Sequence, residues 1–537
     1  MTAAQQLATA LAHRGTDTAF GMPGGGPNLD VVGALADEGI RFVLAHGETA
    51  ACIMASTYGY LTDQVCPAIV TRGPGAASAV NGAAQATLDR QPLLLVTDTV
   101  GEASATRIVH QRLDQRAMLA PVTKASVPLS TQTSRTEIAD VLDFVAAAPA
   151  GAVHFDYDPT ATDVGFPPQF TSADTGATTT DASRLIAAAE RPVVVIGLGA
   201  APHAVEVRRA VEDFGAPTLA TYQGIGVVPT EHRISAGLFT NGASERALLE
   251  QADLVILIGV DPVEPIPAEW SYEAPVLALT STATIDPYFP TTAEVIGDIG
   301  QLALALLVGA HTWSDGAGAE YRETVRADLA AITPEPVGAA SVSAPLTPLD
   351  LVRQTSAAMP PETRVTVDAG AHFLAIMPFW PALEPKQVLI SNGLATMGYA
   401  LPAAIGAALA RPENPTLCLV GDGGLAMTLA ELETVARLNL PITIVVFNDS
   451  ALSLIEIKQR RGDDDRGHGG DAAVKYQPTD FAAIASGSGL IGRAVETPAD
   501  LSRALGAAAL TGWHTPRLID ARIDPASYRH LITVTRG

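Results

Sequence analysis

Three consecutive α/β domains with parallel sheets are predicted by three observations. Short apolar runs alternate with Gly-punctuated helical stretches, two polar, turn-rich stretches interrupt the alternation, and 537 residues is about three times a domain of roughly 100–200 residues. Strands that alternate with helical patterns build parallel sheets covered on both faces.

In the first region, from residue 15 to about 165, the runs are Phe42-Val43-Leu44, Ala68-Ile69-Val70-Thr71, Leu93-Leu94-Leu95-Val96-Thr97 and Ala152-Val153-His154-Phe155. The stretch 170–181, Phe-Thr-Ser-Ala-Asp-Thr-Gly-Ala-Thr-Thr-Thr-Asp, is polar and reads as an interdomain linker. The middle region carries Pro192-Val-Val-Val-Ile-Gly-Leu-Gly, Ala252-Asp-Leu-Val-Ile-Leu-Ile-Gly and Pro275-Val-Leu-Ala-Leu, read as buried parallel strands. A second low-information stretch, 334–345, closes it. The third region carries Arg364-Val-Thr-Val-Asp, Thr416-Leu-Cys-Leu-Val-Gly-Asp, Ile442-Thr-Ile-Val-Val-Phe-Asn-Asp and Arg517-Leu-Ile-Asp-Ala. The expected domain limits are 1–168, 180–333 and 346–537.

Composition narrows the function. Hydrophobic residues make up 47% and charged residues 17% of the chain, with 47 Gly, as in a folded Ala- and Gly-rich protein. Against 33 Lys+Arg stand 57 Asp+Glu, a formal net charge of −24, which argues against a nucleic-acid or anionic-lipid surface. An anionic ligand therefore needs a local device, such as a metal ion or a helix N-terminus. Cys52, Cys66 and Cys418 are few, odd in number and without metal-ligand spacing, so they read as buried thiols. Residues 1–14 read as an amphipathic helix and not a signal peptide, and no run reaches the ~18 apolar residues of a membrane span. The expectation is a soluble, cytoplasmic protein.

The strand 417–420 runs into Gly421-Asp422-Gly423-Gly424, and the strand 442–447 ends in Asn448-Asp449-Ser450. Carboxylates at the carboxyl ends of parallel strands sit where open α/β sheets bind ligands. Mg²⁺ commonly takes one or two carboxylates together with a ligand's phosphate oxygens, and glycines let a phosphate approach the backbone. Gly-Asp-Gly alone is most often a tight turn; its neighbours carry the functional reading.

These neighbours resemble the thiamine diphosphate (ThDP)-dependent enzymes, in which Gly-Asp-Gly is followed some two dozen residues later by an Asn or Asp metal ligand; here the spacing is 449 − 422 = 27. Ser391-Asn-Gly-Leu-Ala-Thr-Met-Gly-Tyr-Ala-Leu-Pro-Ala-Ala-Ile-Gly and Gly421-Asp-Gly-Gly-Leu-Ala-Met-Thr-Leu-Ala-Glu-Leu-Glu-Thr-Val-Ala-Arg-Leu-Asn-Leu-Pro are similar to the acetolactate synthase-like branch, and the likeness covers most of the chain. Phe20-Gly-Met-Pro-Gly-Gly-Gly, which contains Gly25, and Thr71-Arg-Gly-Pro-Gly-Ala resemble its N-terminal segments.

The resemblance implies pyrimidine-binding, central and diphosphate-binding domains, ThDP and Mg²⁺ as cofactors, and a homodimer or homotetramer with active sites between subunits. It places the activating glutamate, which hydrogen-bonds the aminopyrimidine and prepares removal of the thiazolium C2 proton, on Glu48. Without the resemblance, Glu48 is a residue favourable to a helix dipole. Met397 matches the apolar wedge that bends the cofactor, and the backbone at Ala395 and Met397 matches its pyrimidine contacts. Gly370, Ala371 and His372, together with Gly421, Gly423 and Gly424, match the diphosphate cradle. Asp422, Asp449 and the Ala451 carbonyl match the metal ligands.

On the substrate side, Gln111 matches a glutamine directed at the reacting centre, and His110 sits where acetolactate synthases usually carry Phe. A histidine there suits proton transfer. Ile455 stands where pyruvate decarboxylase-type enzymes hold a glutamate, and Lys458 where acetolactate synthases place a pocket Trp. The stretch 460–471 is charged and Gly-rich and reads as a solvated loop; the resemblance implies that it orders over the active site with Arg460 or Arg461 available to an anionic substrate, and no catalytic role is assigned to either.

These readings imply decarboxylation of a 2-oxo acid with acyl-anion transfer, carboligation or C–C lyase chemistry. A flavin-linked, pyruvate oxidase-like enzyme is one alternative. It requires FAD in the middle domain, where Gly197-Leu-Gly-Ala-Ala is a short glycine pair without an acidic ribose-binding partner, so FAD is not indicated. A catalytically silent ThDP-binding subunit is another, and the joint presence of Glu48, Met397, Asp422 and Asp449 argues against it.

Overall fold

The computed structural model describes residues 1–101, 107–161, 178–283, 289–331, 344–459 and 470–537. Most of both linker stretches, and Arg460 and Arg461, lie outside the described residues. Three six-stranded sheets follow one another along the chain, and the strand pairings within them are parallel.

The N-terminal sheet contains β1 (Thr18–Met22), β2 (Arg41–Leu44), β3 (Cys66–Val70), β4 (Leu93–Asp98), β5 (Ala125–Leu129) and β6 (Ala152–Tyr157), in the order β2-β1-β3-β4-β6-β5. The C-terminal sheet contains β13 (Arg364–Val367), β14 (Val388–Ile390), β15 (Thr416–Gly421), β16 (Ile442–Asn448), β17 (Ile491–Val495) and β18 (Arg517–Arg522). Its order, β14-β13-β15-β16-β18-β17, repeats that of the first sheet.

The central sheet differs. Its strands are β7 (Pro192–Ile196), β8 (Thr218–Ala220), β9 (Ser235–Leu238), β10 (Leu254–Ile258), β11 (Val276–Thr280) and β12 (Thr291–Ile296), in the doubly wound order β12-β11-β10-β7-β8-β9. Each sheet has a point where the chain reverses its direction of travel across the strands: between β1 and β3, between β7 and β10, and between β13 and β15. A crevice opens at the carboxyl ends of the strands at each such point.

The strands that appear as unbroken apolar runs in the sequence are mostly the interior ones, buried on both faces. β5, β9, β12 and β17 are edge strands that leave no such run, and β17 mixes exposed and buried positions. β8 has only three residues. β1 is interior but is broken by Gly21, where a Cβ would lie 2.1 Å from the Ile69 carbonyl oxygen, so the close approach to β3 requires glycine.

The first and third domains share one core. The helix Glu48–Thr62 packs on the helix Ala400–Ala410; both are rich in small apolar side chains and buried almost all round, as helices between two layers must be. At their contact a Cβ on Gly406 would stand 2.5 Å from the Met54 carbonyl oxygen, an approach only glycine permits. This packing fixes the start of the first helix, Glu48, and the segment before the second, Met397–Tyr399, relative to each other. The three cysteines are free and buried. Among the described residues no helix is long and apolar enough to cross a membrane.

Candidate active site

The C-terminal crevice gathers the residues expected to hold a metal and a diphosphate. Asp422 follows the end of β15 and Asp449 the end of β16, strands paired in register from Thr416↔Ile442 to Gly421↔Phe447. Asp422 is buried; its Oδ1 accepts from Gly423 N at 2.6 Å, and its buried Oδ2 has no hydrogen-bond partner. Burial and the neighbouring Asp449 charge push its carboxyl up to about 7. Asp449, also raised by burial, accepts from Ala451 N at 3.2 Å and from the Ser453 hydroxyl. Two carboxylates sharing one buried site repel each other until a cation joins them. Ser450, between Asp449 and Ala451, is held at φ 54°.

His372 follows β13 across the crevice. Its ring stacks on Phe447, with centroids 5.3 Å apart and planes at 28°. Burial lowers its pKa to about 3, so the ring is neutral, and a ring hydrogen bond to the Asp368 main chain opposes the shift. The other nitrogen, Nε2, is buried without a partner. An anion against Nε2 would supply the charge that draws a proton onto it. A Cβ on Gly421 would come 3.2 Å from the His372 ring, and one on Gly423 would lie 3.2 Å from Met397 Cε and 3.4 Å from the Tyr476 ring. The glycines therefore keep side chains out of the space between the imidazole and Met397. An unpartnered carboxylate oxygen, an unpartnered imidazole nitrogen and a glycine cradle fit a metal-bound diphosphate.

Met397 and Ala395 lie on the loop before the helix Ala400–Ala410. Ala395 is held at φ 53°, a left-handed conformation costing roughly 1–2 kcal/mol in a residue other than glycine. Buried Asp368 holds this loop: its carboxylate accepts from Gly398 N at 3.1 Å and Tyr399 N at 3.3 Å. A Cβ on Gly424 would lie 2.3 Å from Asp368 Oδ2, so the same carboxylate presses on the Gly-Asp-Gly-Gly turn. Asn81 of the N-terminal domain reaches Thr396 Oγ1 at 3.1 Å.

The N-terminal crevice gathers the second group. Buried Asp98 accepts from Asn28 Nδ2 at 2.7 Å and from Arg72 N at 3.0 Å, and Asn28 Oδ1 accepts from Gly24 N at 3.1 Å. The loop bearing Gly25 and the turn at Thr71–Gly75 are thus tied through one carboxylate. Gly25 itself is exposed, with open space where a Cβ would stand. Glu48 opens its helix with one carboxylate oxygen 3.4 Å from the Cβ position of Gly75. The C-terminal domain grips the residues leading into it: Glu431 accepts from His46 N at 2.9 Å, Glu433 pairs with the His46 ring at 2.7 Å, and Arg437 donates to Leu44 O at 2.6 Å.

Gln111 sits in the same mouth, at φ 58°, and its carbonyl oxygen is 2.7 Å from the Cβ position of Gly73. His110 beside it is exposed, in a segment that also exposes Ile108, Val109 and Leu113. In the C-terminal domain, Ile455 (44% exposed) and Lys458 face outward from the helix Ser453–Gln459, and Met427 and Tyr476 are exposed as well. The structure brings the predicted residues together as two mouths, Gly25, Glu48 and Gln111 in one, and His372, Met397, Asp422 and Asp449 in the other.

Asp98, Asp368 and Glu431 were not singled out from the sequence. For the first two a signal existed: each stands at the carboxyl end of an apolar run, the feature that pointed to Asp422 and Asp449. For Glu431 there was none, because its partner His46 is 385 residues away.

Residues 1–118 match the model of the N-terminal TPP (thiamine pyrophosphate) binding domain of thiamine pyrophosphate enzymes, 179–306 that of their central domain and 368–521 that of their C-terminal TPP binding domain. The acetolactate synthase of Bacillus subtilis (strain 168) is 30% identical over 528 residues, 94% of this chain and 90% of that protein. A catabolic acetolactate synthase of Raoultella terrigena is 30% identical over 540 residues, 94% and 92% of the two chains. A probable 2-ketoarginine decarboxylase of Pseudomonas aeruginosa is 29% identical over 486 residues, 85% and 83%.

Proposed function

The chain belongs to the thiamine pyrophosphate enzymes, in their acetolactate synthase-like branch, and from that premise we propose that it decarboxylates a 2-oxo acid and passes the acyl-anion equivalent to an acceptor. The observation that carries this reading is the pair of buried, unpartnered atoms, Asp422 Oδ2 and His372 Nε2, facing a glycine cradle. Buried polar groups in folded proteins are almost always paired, so two orphans in one crevice argue for a ligand.

In this proposal Asp422, Asp449 and the Ala451 carbonyl hold Mg²⁺, and Gly370, Ala371, His372, Gly421, Gly423 and Gly424 hold the diphosphate. Ala395 and Met397 hold and bend the pyrimidine end. Bound there, ThDP supplies the nucleophilic carbon and the electron sink that let the bond between C1 and C2 of a 2-oxo acid break. Glu48, from a second copy of the chain, hydrogen-bonds the pyrimidine ring nitrogen and moves its proton. Gln111 would orient the substrate carbonyl, and His110 would hold and move a proton at the carbonyl oxygen. The apolar residues exposed at the two mouths, Ile108, Val109 and Leu113 on one and Met427 and Ile455 on the other, support assembly as a dimer or tetramer. With no carboxyl group at Ile455 to deliver a proton, transfer to a second carbonyl compound competes well with release of an aldehyde.

The test is incubation with Mg²⁺, ThDP and a panel of 2-oxo acids, alone and in pairs, with CO₂ and coupled products scored by mass spectrometry. CO₂ release with a hydroxyketone or 2-hydroxy-2-methyl acid product is expected. If no 2-oxo acid loses CO₂ while ThDP is bound, the proposal fails.

A further inference from the structure

The crevice of the central sheet opens between β7 and β10, where a doubly wound sheet of this strand order takes the pyrophosphate of a dinucleotide. Gly197 and Gly199 follow β7 as a dinucleotide turn requires, yet the turn is already engaged. Gly199 N donates to Gly259 O at 2.8 Å. Leu198 N, the amide that would meet a phosphate, is shared between the two carboxylate oxygens of Glu264, each at 3.1 Å. Glu264 Oε2 also accepts from Asp261 N at 2.9 Å, and Oε1 from the Thr221 hydroxyl at 2.5 Å.

Glu264 is 4% exposed, and a Cβ on Gly197 would stand 2.5 Å from its Oε2. Burial drives this carboxyl upward, to about 8, but every neighbour within hydrogen-bond reach is a donor. The Thr221 hydroxyl accepts from Gly224 N at 3.0 Å and has its own proton to donate to Glu264. Two backbone amides that can only donate, one of them shared by both oxygens, and a hydroxyl able to donate are surroundings that suit an anion.

We propose that Glu264 is a built-in anion that occupies the dinucleotide crevice of the central domain, so that this domain holds its shape without a nucleotide and serves as a fixed support. What it supports is the cofactor loop. The Glu264 carbonyl accepts from Asn392 Nδ2 at 2.8 Å, and the next residue of the loop, Gly393, donates to Asp89 Oδ1 at 2.6 Å. Asp261, whose amide holds Glu264, forms a two-pronged ion pair with Arg90 at 2.8 and 3.0 Å. The crevice that in other doubly wound domains receives a ligand therefore anchors the base of the loop carrying Ala395 and Met397.

The test uses the full-length protein. Equilibrium dialysis of the wild type against FAD, ADP and NAD should show no stoichiometric uptake, and binding of any of them overturns the proposal, whatever the variants do. Glu264→Ala should lower Tm by roughly 5 °C or more, with partial recovery in millimolar acetate or inorganic phosphate, salts that leave the wild type unchanged. Glu264→Gln sets an amide N–H₂ against backbone donors and should lower Tm without that recovery. If Glu264→Ala does not fold, Glu264→Gln and the wild-type dialysis decide. A Glu264→Gln protein as stable as the wild type, or a folded Glu264→Ala protein indifferent to both salts, refutes the assignment.

Discussion

The central and C-terminal crevices start from the same ingredients and end in opposite states. In each, a glycine-bearing turn follows a parallel strand at the point where the chain reverses across the sheet, and a carboxylate is buried beside it. In the central domain the carboxylate of Glu264 meets two backbone amides and a hydroxyl. In the C-terminal domain Asp422 Oδ2 has no partner in good hydrogen-bond geometry; the Gly423, Ser450 and Ala451 amides stand around the carboxyl, and the Asp449 carboxylate is its close neighbour. A buried charge without a full set of partners costs free energy, so with nothing bound the second arrangement holds a proton more readily and gains from a cation, whereas the first needs nothing. Glycine spacing identifies both as crevices; the pairing of the buried carboxylate separates a filled site from one that awaits a ligand.

The largest expected effect on cofactor binding comes from taking away the waiting carboxylate. Asp422→Ala should weaken Mg²⁺-dependent ThDP binding by about 100-fold or more, because one of the two carboxylates assigned to the ion is gone. Titration calorimetry with and without Mg²⁺ measures this. A variant that still binds ThDP tightly in a Mg²⁺-dependent manner would break the comparison, since the C-terminal crevice would then not depend on its orphan.

Glu48→Gln should leave Mg²⁺ and ThDP bound with near wild-type affinity while turnover falls by roughly 10²–10⁴-fold, the usual range for losing an acid–base group. The discriminating measurement is hydrogen–deuterium exchange at the cofactor's C2. Unaltered exchange in the variant removes Glu48 from its role, whereas a loss of binding would mean that the N-terminal mouth holds the cofactor as well as activating it.

How far the sequence reached follows the same physics. β4, β7, β10, β15 and β16 are buried on both faces and stand out as continuous apolar runs, while β9, β12 and β17 cover one neighbour each and leave no comparable trace. Asp422, Asp449 and Met397 could be placed because their signal is local, a short stretch of residues with its neighbours. Asp368 and Asp98 carried half of that signal, a carboxylate at a strand end; the partners of Asp368 are backbone amides that any sequence supplies, and Asp98 adds to the Arg72 amide the side chains of Asn28 and Arg72, 70 and 26 positions away. The grip of Glu431 on His46 and of Asp89 on Gly393 joins residues hundreds of positions apart, and only the fold brings them together. The Gly197-Leu-Gly-Ala-Ala turn shows the converse: the sequence presents a weak nucleotide signal and, 66 residues later, the glutamate that fills the space, with nothing to connect the two.

The smallest expected effect is the most discriminating, because the two crevices should respond with opposite sign to the same chemical change. Asp422 has its folded-state carboxyl pushed up to about 7, against an ordinary 3.8 when unfolded. Between those values the folded protein holds a proton that the unfolded chain has released. Without metal and cofactor, the contribution of Asp422 to stability therefore declines as pH rises from about 4 to about 7 and stays at its lowest above that. Asp422→Asn cannot ionise, so it escapes the decline. At pH 8 the cofactor-free variant should be more stable than the wild type by about 1 kcal/mol or more, within the range seen when strain at a functional site is relieved; near pH 4 the two should melt together. Glu264→Gln at pH 8 should move the other way, because a Gln side-chain N–H₂ finds no acceptor in the Leu198 and Asp261 amides; the upward push of burial on the Glu264 carboxyl acts in the opposite sense and makes this loss smaller as pH rises. Melting temperatures of the three cofactor-free proteins at pH 4 and pH 8 settle the matter. If both substitutions shift stability in the same direction, the carboxylates are in equivalent environments, and the distinction between a filled and a waiting crevice is wrong.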